Sequence, residues 1–247
     1  MRFEKTKVMN FEGALRGMRN PMNSWDKSDS SYCINSVNES TSHCSTCPVN
    51  EGCTGSQGDI ETRYIIGVND MKLAQQLVRA GSEHRKFMRQ IFVSVDIVAP
   101  LFWWKEFDTY KVGTVRNSCS TMHKIHVKSF EKDDFTHIGI DEVGDITKKT
   151  FDTVLETLEY CKTKFNETKE KKYWRAIIEL LPDGYNMRAT ITFNYENLLS
   201  MCSKGQRRFH KQNEWSGIDY PNEKNFISWA RTLPYAQELI FIDEMEE

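Results

Sequence analysis

The sequence lacks any hydrophobic run long enough to cross a membrane. Its longest apolar stretch, Ile91 to Val98, is broken by Asp96, whereas a spanning helix needs about 20 apolar residues. It also lacks an excess of charge: 33 Lys and Arg face 35 Asp and Glu, a formal charge of −2. That balance excludes the broad basic footprint of a duplex nucleic-acid binder and leaves room for a local anion pocket. The opening MRFEKTKVMN lacks the apolar core of a secretion signal. These absences lead us to expect a soluble cytoplasmic protein without a membrane or nucleic-acid partner. A further deficit is local. Residues 28–62 hold few aliphatic side chains and are rich in Ser, Thr, Asn and Gly, the composition of an inserted polar loop. At 28.9 kDa the remainder can bury a substantial core, and we expect one domain over 1–247 carrying that insertion.

Seven cysteines are present, and Cys33, Cys44, Cys47 and Cys53 all fall in the polar insertion. In a cytosolic chain such clustering points to metal or to no bond more readily than to disulfides. Cys44 and Cys47 are spaced so that two thiolates can share one zinc ion, with Cys53, Cys33 or His43 available to complete a tetrahedral set. The second C-x-x-C that would strengthen the motif is missing, so an unmetallated loop stands beside the zinc reading. Nothing near Cys119 or Cys202 in sequence lowers a thiol pKa, and both are expected to be structural.

Along the chain, Val8 and Met9 end a short strand, and Asn10 is placed to cap a helix bearing Phe11, Ala14 and Leu15. The turn-rich segment that follows contains Arg16, Arg19 and Trp25. Two guanidiniums and an indole there suit an anion and a ring; surface charges with Trp25 packed inward are the plainer reading. RYIIG (63–67) reads as a strand, and Asp70 as the start of a helix with Leu73, Ala74, Leu77 and Val78 on one face, stopped by Gly81. Phe87 to Val95 is expected as a strand on its Ile, Phe and Val content. Pro100 suits the first turn of a helix ending near Phe107. Residues 124–144 show no assignable period.

Two helical stripes follow, Phe151, Val154, Leu155 and Leu158, then Tyr173, Trp174, Ile177, Ile178 and Leu181 before Pro182. MRATITF (187–193) alternates Met187, Ala189, Ile191 and Phe193 with Arg188, Thr190 and Thr192, a half-buried strand. Asn194 then caps a helix containing Leu198, Leu199 and Met201, closed by Gly205. A basic segment with Arg207, Arg208, His210 and Lys211 suits an anion, and a last amphipathic helix runs from Trp229 to Ile240. The unusual chemistry concentrates between Gly81 and His123, where a rigid apolar element and the cluster Phe102, Trp103, Trp104 and Phe107 lead into a polar bend. Such a bend is a common way to present a site.

Several of these segments, in this order, resemble the flavin-dependent thymidylate synthases (ThyX). Ser82, Glu83 and His84 match the family's S-E-H element, and Ser120 to His123 stand at its S-x-R-Y. RAIIELLP (175–182) resembles its A-R-x-x-L-P. The strand MRATITF and the helix opened by Asn194 resemble the elements that carry N-x-R-S-L. The resemblance spans Gly67 to Leu199. It departs at charged positions: Trp104, Lys105 and Glu106 replace R-H-R, Thr109 stands at the following Ser, Met122 replaces one Arg and Glu196 another. A carboxylate reverses both the charge and the hydrogen-bond polarity of a guanidinium.

The resemblance implies an α+β fold with a mixed sheet flanked by helices, and the methylation of dUMP to dTMP with FAD, NADPH and methylenetetrahydrofolate in a homotetramer. It implies Arg207 or Arg208 as the arginine facing the pyrimidine, and Arg116, Ser118, Ser120 and Arg231 as ligands of a deoxypyrimidine nucleotide. His84, Lys105, Thr109 and Asn194 are implied at flavin positions. The departures support an alternative, a non-catalytic nucleotide-binding or regulatory protein that keeps the fold without flavin. A zinc-stapled interaction protein is a third reading, resting on the cysteines alone.

Overall fold

The structure, a computed structural model, describes residues 1–32, 64–203, 209–221 and 224–245. The fold is α+β. Strands β1 (Arg2–Met9), β4 (Phe92–Pro100), β5 (Val115–Ser118) and β6 (Asn186–Asn194) form a four-stranded sheet in the order β1-β4-β6-β5, and β2 (Ser31–Tyr32) pairs antiparallel with β3 (Tyr64–Ile65). The helices are α1 (Phe11–Arg19), α2 (Val68–Arg79), α3 (Leu101–Phe107), α4 (Ile138–Val143), α5 (Asp145–Thr168), α6 (Lys171–Leu180), α7 (Tyr195–Cys202), α8 (Asn213–Ser216), α9 (Phe226–Ala230) and α10 (Ala236–Leu239). The inner strands β4 and β6 carry the most apolar sequence. In β6 Met187, Ala189, Ile191 and Phe193 are buried and the intervening residues are not, as the period of two requires.

The chain forms two compact units. The first comprises residues 1–2, 97–109 and 117–190. Its core joins Ile125, Phe135, Phe151, Leu158, Cys161 and Ile177, and it is built on the hairpin of α5 and α6. Gly144, at φ 116°, opens α5, and Lys169 closes it in the left-handed conformation. The Trp174 indole donates to the Met122 carbonyl at 2.7 Å, tying the otherwise irregular 119–131 segment to α6. In α3, Trp103, Trp104 and Phe107 are all buried, and Trp104 Nε1 donates to the carbonyls of Ala99 and Met187, both at 3.0 Å.

The second unit comprises residues 3–96, 110–116 and 191–247. Phe11 of α1 meets the edges of Tyr195 and Tyr235, and Trp229 stacks on Phe3. A buried ion pair organises the unit's polar interior. Asp70, fully buried, receives Arg19 Nε at 2.5 Å on one oxygen, and the hydroxyls of Ser28 and Ser30 at 2.6 and 2.5 Å on the other. Arg19 donates further to Ser24 and to the Lys27 carbonyl. Beside it, the Asp29 carboxylate accepts from the backbone amides of Asn69 and Asp70. Gly67 is required here, because a Cβ would lie 2.2 Å from the Asp29 side chain. Tyr235 completes the clasp: its hydroxyl accepts from the Ile66 amide and donates to the Tyr64 carbonyl.

Several expectations change. Asp70 lies inside the first turn of α2 and serves as the buried partner of Arg19, so the Arg19 guanidinium is already spent, while the exposed Arg16 lies 3.9 Å from Glu12. Trp25 is 51% exposed rather than packed inward. Asn10 adopts φ 71° and makes no cap; its amide donates to the Gln90 carbonyl. Lys86–Gln90 forms a 3-10 turn, and the strand begins only at Phe92. Of RYIIG, Tyr64–Ile65 is strand and Ile66 and Gly67 are not, while Arg63 lies outside the described residues. The last helix divides into α9 and α10 about Pro234 and Tyr235, the latter at φ 54°. Gly205, expected to close α7, lies outside the described residues.

Burial pushes the Asp70 carboxyl upward, but the hydrogen bonds from Ser28, Ser30 and Arg19 outweigh it and hold the group below its ordinary 3.8. A carboxyl depressed in the folded state contributes stability above its unfolded value and loses it as the pH falls through the folded value. Asp70→Asn leaves the Arg19 guanidinium buried without its counter-charge and is expected to cost about 3–5 kcal/mol at neutral pH. Urea melts at pH 7 and below pH 4 check this: the difference between wild type and variant should shrink in acid. A variant that melts with the wild type at neutral pH refutes the role.

Candidate functional site

The best-built polar site lies at the start of α7, within the second unit. β6 delivers Asn194 in an extended conformation, and its side chain accepts the Asn197 amide at 3.0 Å while the Asn197 side chain accepts the Asn194 amide at 3.1 Å. This reciprocal box satisfies two amides that a helix start leaves open. The second arm of Asn197 donates to the Val112 carbonyl at 2.7 Å, so the loop of residues 110–116 is laid against the same turn. Gly113, at φ 77°, permits the approach: a Cβ would meet Asn194 Nδ2 at 3.0 Å and Asn197 Oδ1 at 3.2 Å. Tyr110 stacks on Trp215 at 5.5 Å, which fixes the loop's entry.

Glu196, between the two asparagines, faces the 3-10 turn. It accepts Arg85 Nε at 3.1 Å on Oε1 and Arg89 Nε on Oε2, and Arg89 Nη2 reaches Oε1 at 3.3 Å and the Ser82 carbonyl at 3.4 Å. Burial raises the Glu196 carboxyl, but bonds from Arg89 and Arg85 prevail and lower it below its usual range. Arg89 is correspondingly raised by its bond to Glu196. Glu83 also acts on Arg89 and pairs with Lys86 at 3.5 Å, so three cations and two anions leave the cluster with a net positive charge. Glu196 reverses the charge of one position on α7, a change of two units, and two arginines spaced i, i+4 at the Lys86–Gln90 turn supply two. Sequence reasoning missed Arg85 and Arg89; the unexplained carboxylate was the signal that should have prompted a search for nearby cations.

The other expected residues fall as follows. His84 is exposed, at the start of the segment that carries Arg85. Arg116 is exposed on β5, at the end of the loop that Asn197 holds. In the first unit, Lys105 pairs with Asp183 at 2.5 Å, and the Thr109 hydroxyl donates to the Glu106 carbonyl. Ser118 is exposed on β5, and Ser120 Oγ accepts the amides of Met122 and His123 at 3.2 and 2.9 Å. Arg231 donates through both Nη atoms to Glu244 at 2.7 and 2.6 Å and lies over the Phe241 ring at 4.1 Å, so its fork is already filled. Arg207 and Arg208 lie outside the described residues, as do Cys33, Cys44, Cys47 and Cys53. Among the described residues Cys119 is exposed and Cys161 and Cys202 are buried, no group of three or more His, Cys, Asp or Glu is placed to hold a metal, and no helix is long and apolar enough to cross a membrane.

No family model and no curated protein matches the sequence. Solved structures do match. A crystal structure of the flavin-dependent thymidylate synthase ThyX from Helicobacter pylori, complexed with FAD and dUMP, is 12% identical with a TM-score of 0.60, covering 98% of this chain and 99% of that one. A second crystal structure from the same organism, also with FAD and dUMP, is 13% identical with a TM-score of 0.58 and covers both chains entirely. This near-complete correspondence shows that the chain has the fold of the flavin-dependent thymidylate synthases, in a widely divergent sequence.

Proposed function

We propose that the chain performs ThyX-like chemistry on a deoxypyrimidine nucleotide, the flavin-dependent methylation of dUMP to dTMP or a related reaction, with NADPH and methylenetetrahydrofolate as co-substrates. The observation that carries this reading is the full-length correspondence of fold with a synthase solved with FAD and dUMP. The residues present suit the cofactor's diphosphate in charge and donor type: the Arg85, Arg89 and Glu196 cluster is net positive, with the exposed His84 beside Arg85 in the chain. When bound, reduced flavin supplies the hydride. The chain's own tasks are to hold phosphate and to stabilise charge on the uracil oxygens. Arg207 or Arg208 would face the pyrimidine, and Arg116, Ser118 and Ser120 would bind the nucleotide. His84 and Asn194 would adjoin the flavin, with Asn194 setting the turn. We extend the proposal to one domain carrying 28–62 as an insertion, to a cytoplasmic homotetramer, and to zinc held by Cys44, Cys47, Cys53 and Cys33.

One observation favours a second reading, a nucleotide-binding protein without flavin. The three positions aligned with R-H-R hold a core tryptophan whose indole is spent on two carbonyls, a lysine paired with Asp183, and Glu106. None of the three presents a guanidinium.

Purified protein incubated with FAD should retain a visible flavin spectrum through gel filtration, and with NADPH and methylenetetrahydrofolate should yield dTMP from dUMP. A colourless protein that binds dUMP selects the second reading, and one that binds neither rejects both. Asn194→Ala is expected to cost about 1 kcal/mol of stability through loss of the cap. Gly113→Ala should combine backbone strain with displacement of the asparagine box. Both should weaken flavin retention before they unfold the protein, as thermal melts and equilibrium dialysis on the same samples will show.

A further inference from the structure

We propose that Arg85 and Arg89, oriented by Glu196, form this chain's cationic subsite for a phosphate or diphosphate group, with Arg85 the principal ligand. The inference deepens the nucleotide reading and rests on it for the identity of the ligand, though not for the existence of the site.

The stoichiometry of the cluster is the first ground. Two guanidiniums share one carboxylate that is itself only 16% exposed, and Glu83, which also acts on Arg89, is paired with Lys86 at 3.5 Å, so one positive charge of the cluster is unmatched. The second ground is the use of donors. Arg85 spends only Nε on Glu196, and among the described residues no partner is recorded for its Nη1 and Nη2. Its side chain is 26% exposed, so it is partly buried yet within reach of solvent, with Nε held by Glu196. A planar, pre-oriented guanidinium edge of this kind matches two phosphate oxygens. Arg89 is more exposed, at 48%, and is braced by both Glu196 and the Ser82 carbonyl, which suits a second, looser contact.

Glu196 has a different part. A carboxylate repels a bound anion, so it acts as a positioning residue that holds both forks in register. The start of α7 reinforces the choice, because the Asn194 and Asn197 box fixes the turn from which Glu196 projects. The cationic role that the resemblance assigns to α7 is thus filled from the neighbouring 3-10 turn, with the order of charges exchanged between the two elements.

The test uses the full chain and inorganic pyrophosphate as the probe, titrated by calorimetry at several salt concentrations, with FAD retention measured in parallel. Arg85→Gln is expected to weaken pyrophosphate binding by about tenfold or more and to flatten its salt dependence. Arg85→Lys should fall between, keeping the charge but losing the fork. Glu196→Gln raises the cluster's charge and keeps one side-chain oxygen to accept from the forks, so it should bind pyrophosphate at least as tightly as the wild type. A wild-type protein blind to pyrophosphate, an Arg85→Gln protein that binds it undiminished, or a Glu196→Gln protein that loses it would each overturn the proposal. Should Arg85→Gln not fold, the Glu196→Gln and Arg85→Lys titrations decide the matter. Pyrophosphate binding in a protein that takes up no flavin leaves the subsite standing and removes the flavin reading; flavin uptake undisturbed by Arg85→Gln does the reverse.

Discussion

The burial of the Asp70 carboxylate is the constraint on which the second unit is built. An ionised carboxylate removed from water is tolerated only when its lone pairs are filled and its charge is met. Asp70 meets both conditions by recruiting one guanidinium and two hydroxyls from a stretch of only twelve residues, Arg19 to Ser30. That stretch would otherwise be a turn-rich surface strap with little apolar content. The ion pair makes it part of the interior, and in doing so sets where β2 and β3 can pair.

A similar economy operates at the start of α7. Asn194 and Asn197 spend their side-chain oxygens on each other's amides, and the Nδ2 arm of Asn197 reaches across to Val112. The cap therefore does two things at once: it ends β6 cleanly and it moors a loop. Glu196 lies between these asparagines in sequence, so the geometry that serves the cap also determines which way the carboxylate points. Rigid backbone elements position polar groups more reliably than long loops do, and this turn is the place in the unit where three polar side chains are oriented by one helix start.

What could be read in the sequence was whatever depends on neighbours a few residues away. The alternation of β6, the stripes of α5 and α6, and the cap at Asn194 are local periodicities or local hydrogen bonds, and all three are present in the structure. What could not be read depends on partners far along the chain. Arg19 and Asp70 are separated by 51 positions, so nothing near either one indicated that the pair would be buried together. Phe87 and Met88 are as apolar as the strand that follows, yet they occupy a 3-10 turn, a distinction that apolar content cannot make. The break between α9 and α10 was legible in principle, since Pro234 sits at it; the amphipathic stripe on either side obscured it. At the site, Asn194 was found through its cap, whereas Arg85 and Arg89 lie more than 100 positions from Glu196 and no local pattern joins them.

That distance bears on how a divergent sequence should be compared with a family motif. A motif records which residue stands at a position, but a phosphate responds to the field at a point in space, to which several positions contribute. Glu196 taken alone reads as the loss of an anion-binding group. Taken with Arg85 and Arg89 it is the inner member of a cluster whose sum is still positive, so the reversal at one position and the arginines at two others are a single electrostatic arrangement. No comparable surplus attends the positions aligned with R-H-R: Trp104 is buried, and Lys105 is matched one to one by Asp183. Among the departures from the family pattern these two are therefore unequal in charge: the one at Glu196 has two arginines against it, and the one at Trp104, Lys105 and Glu106 has no such surplus.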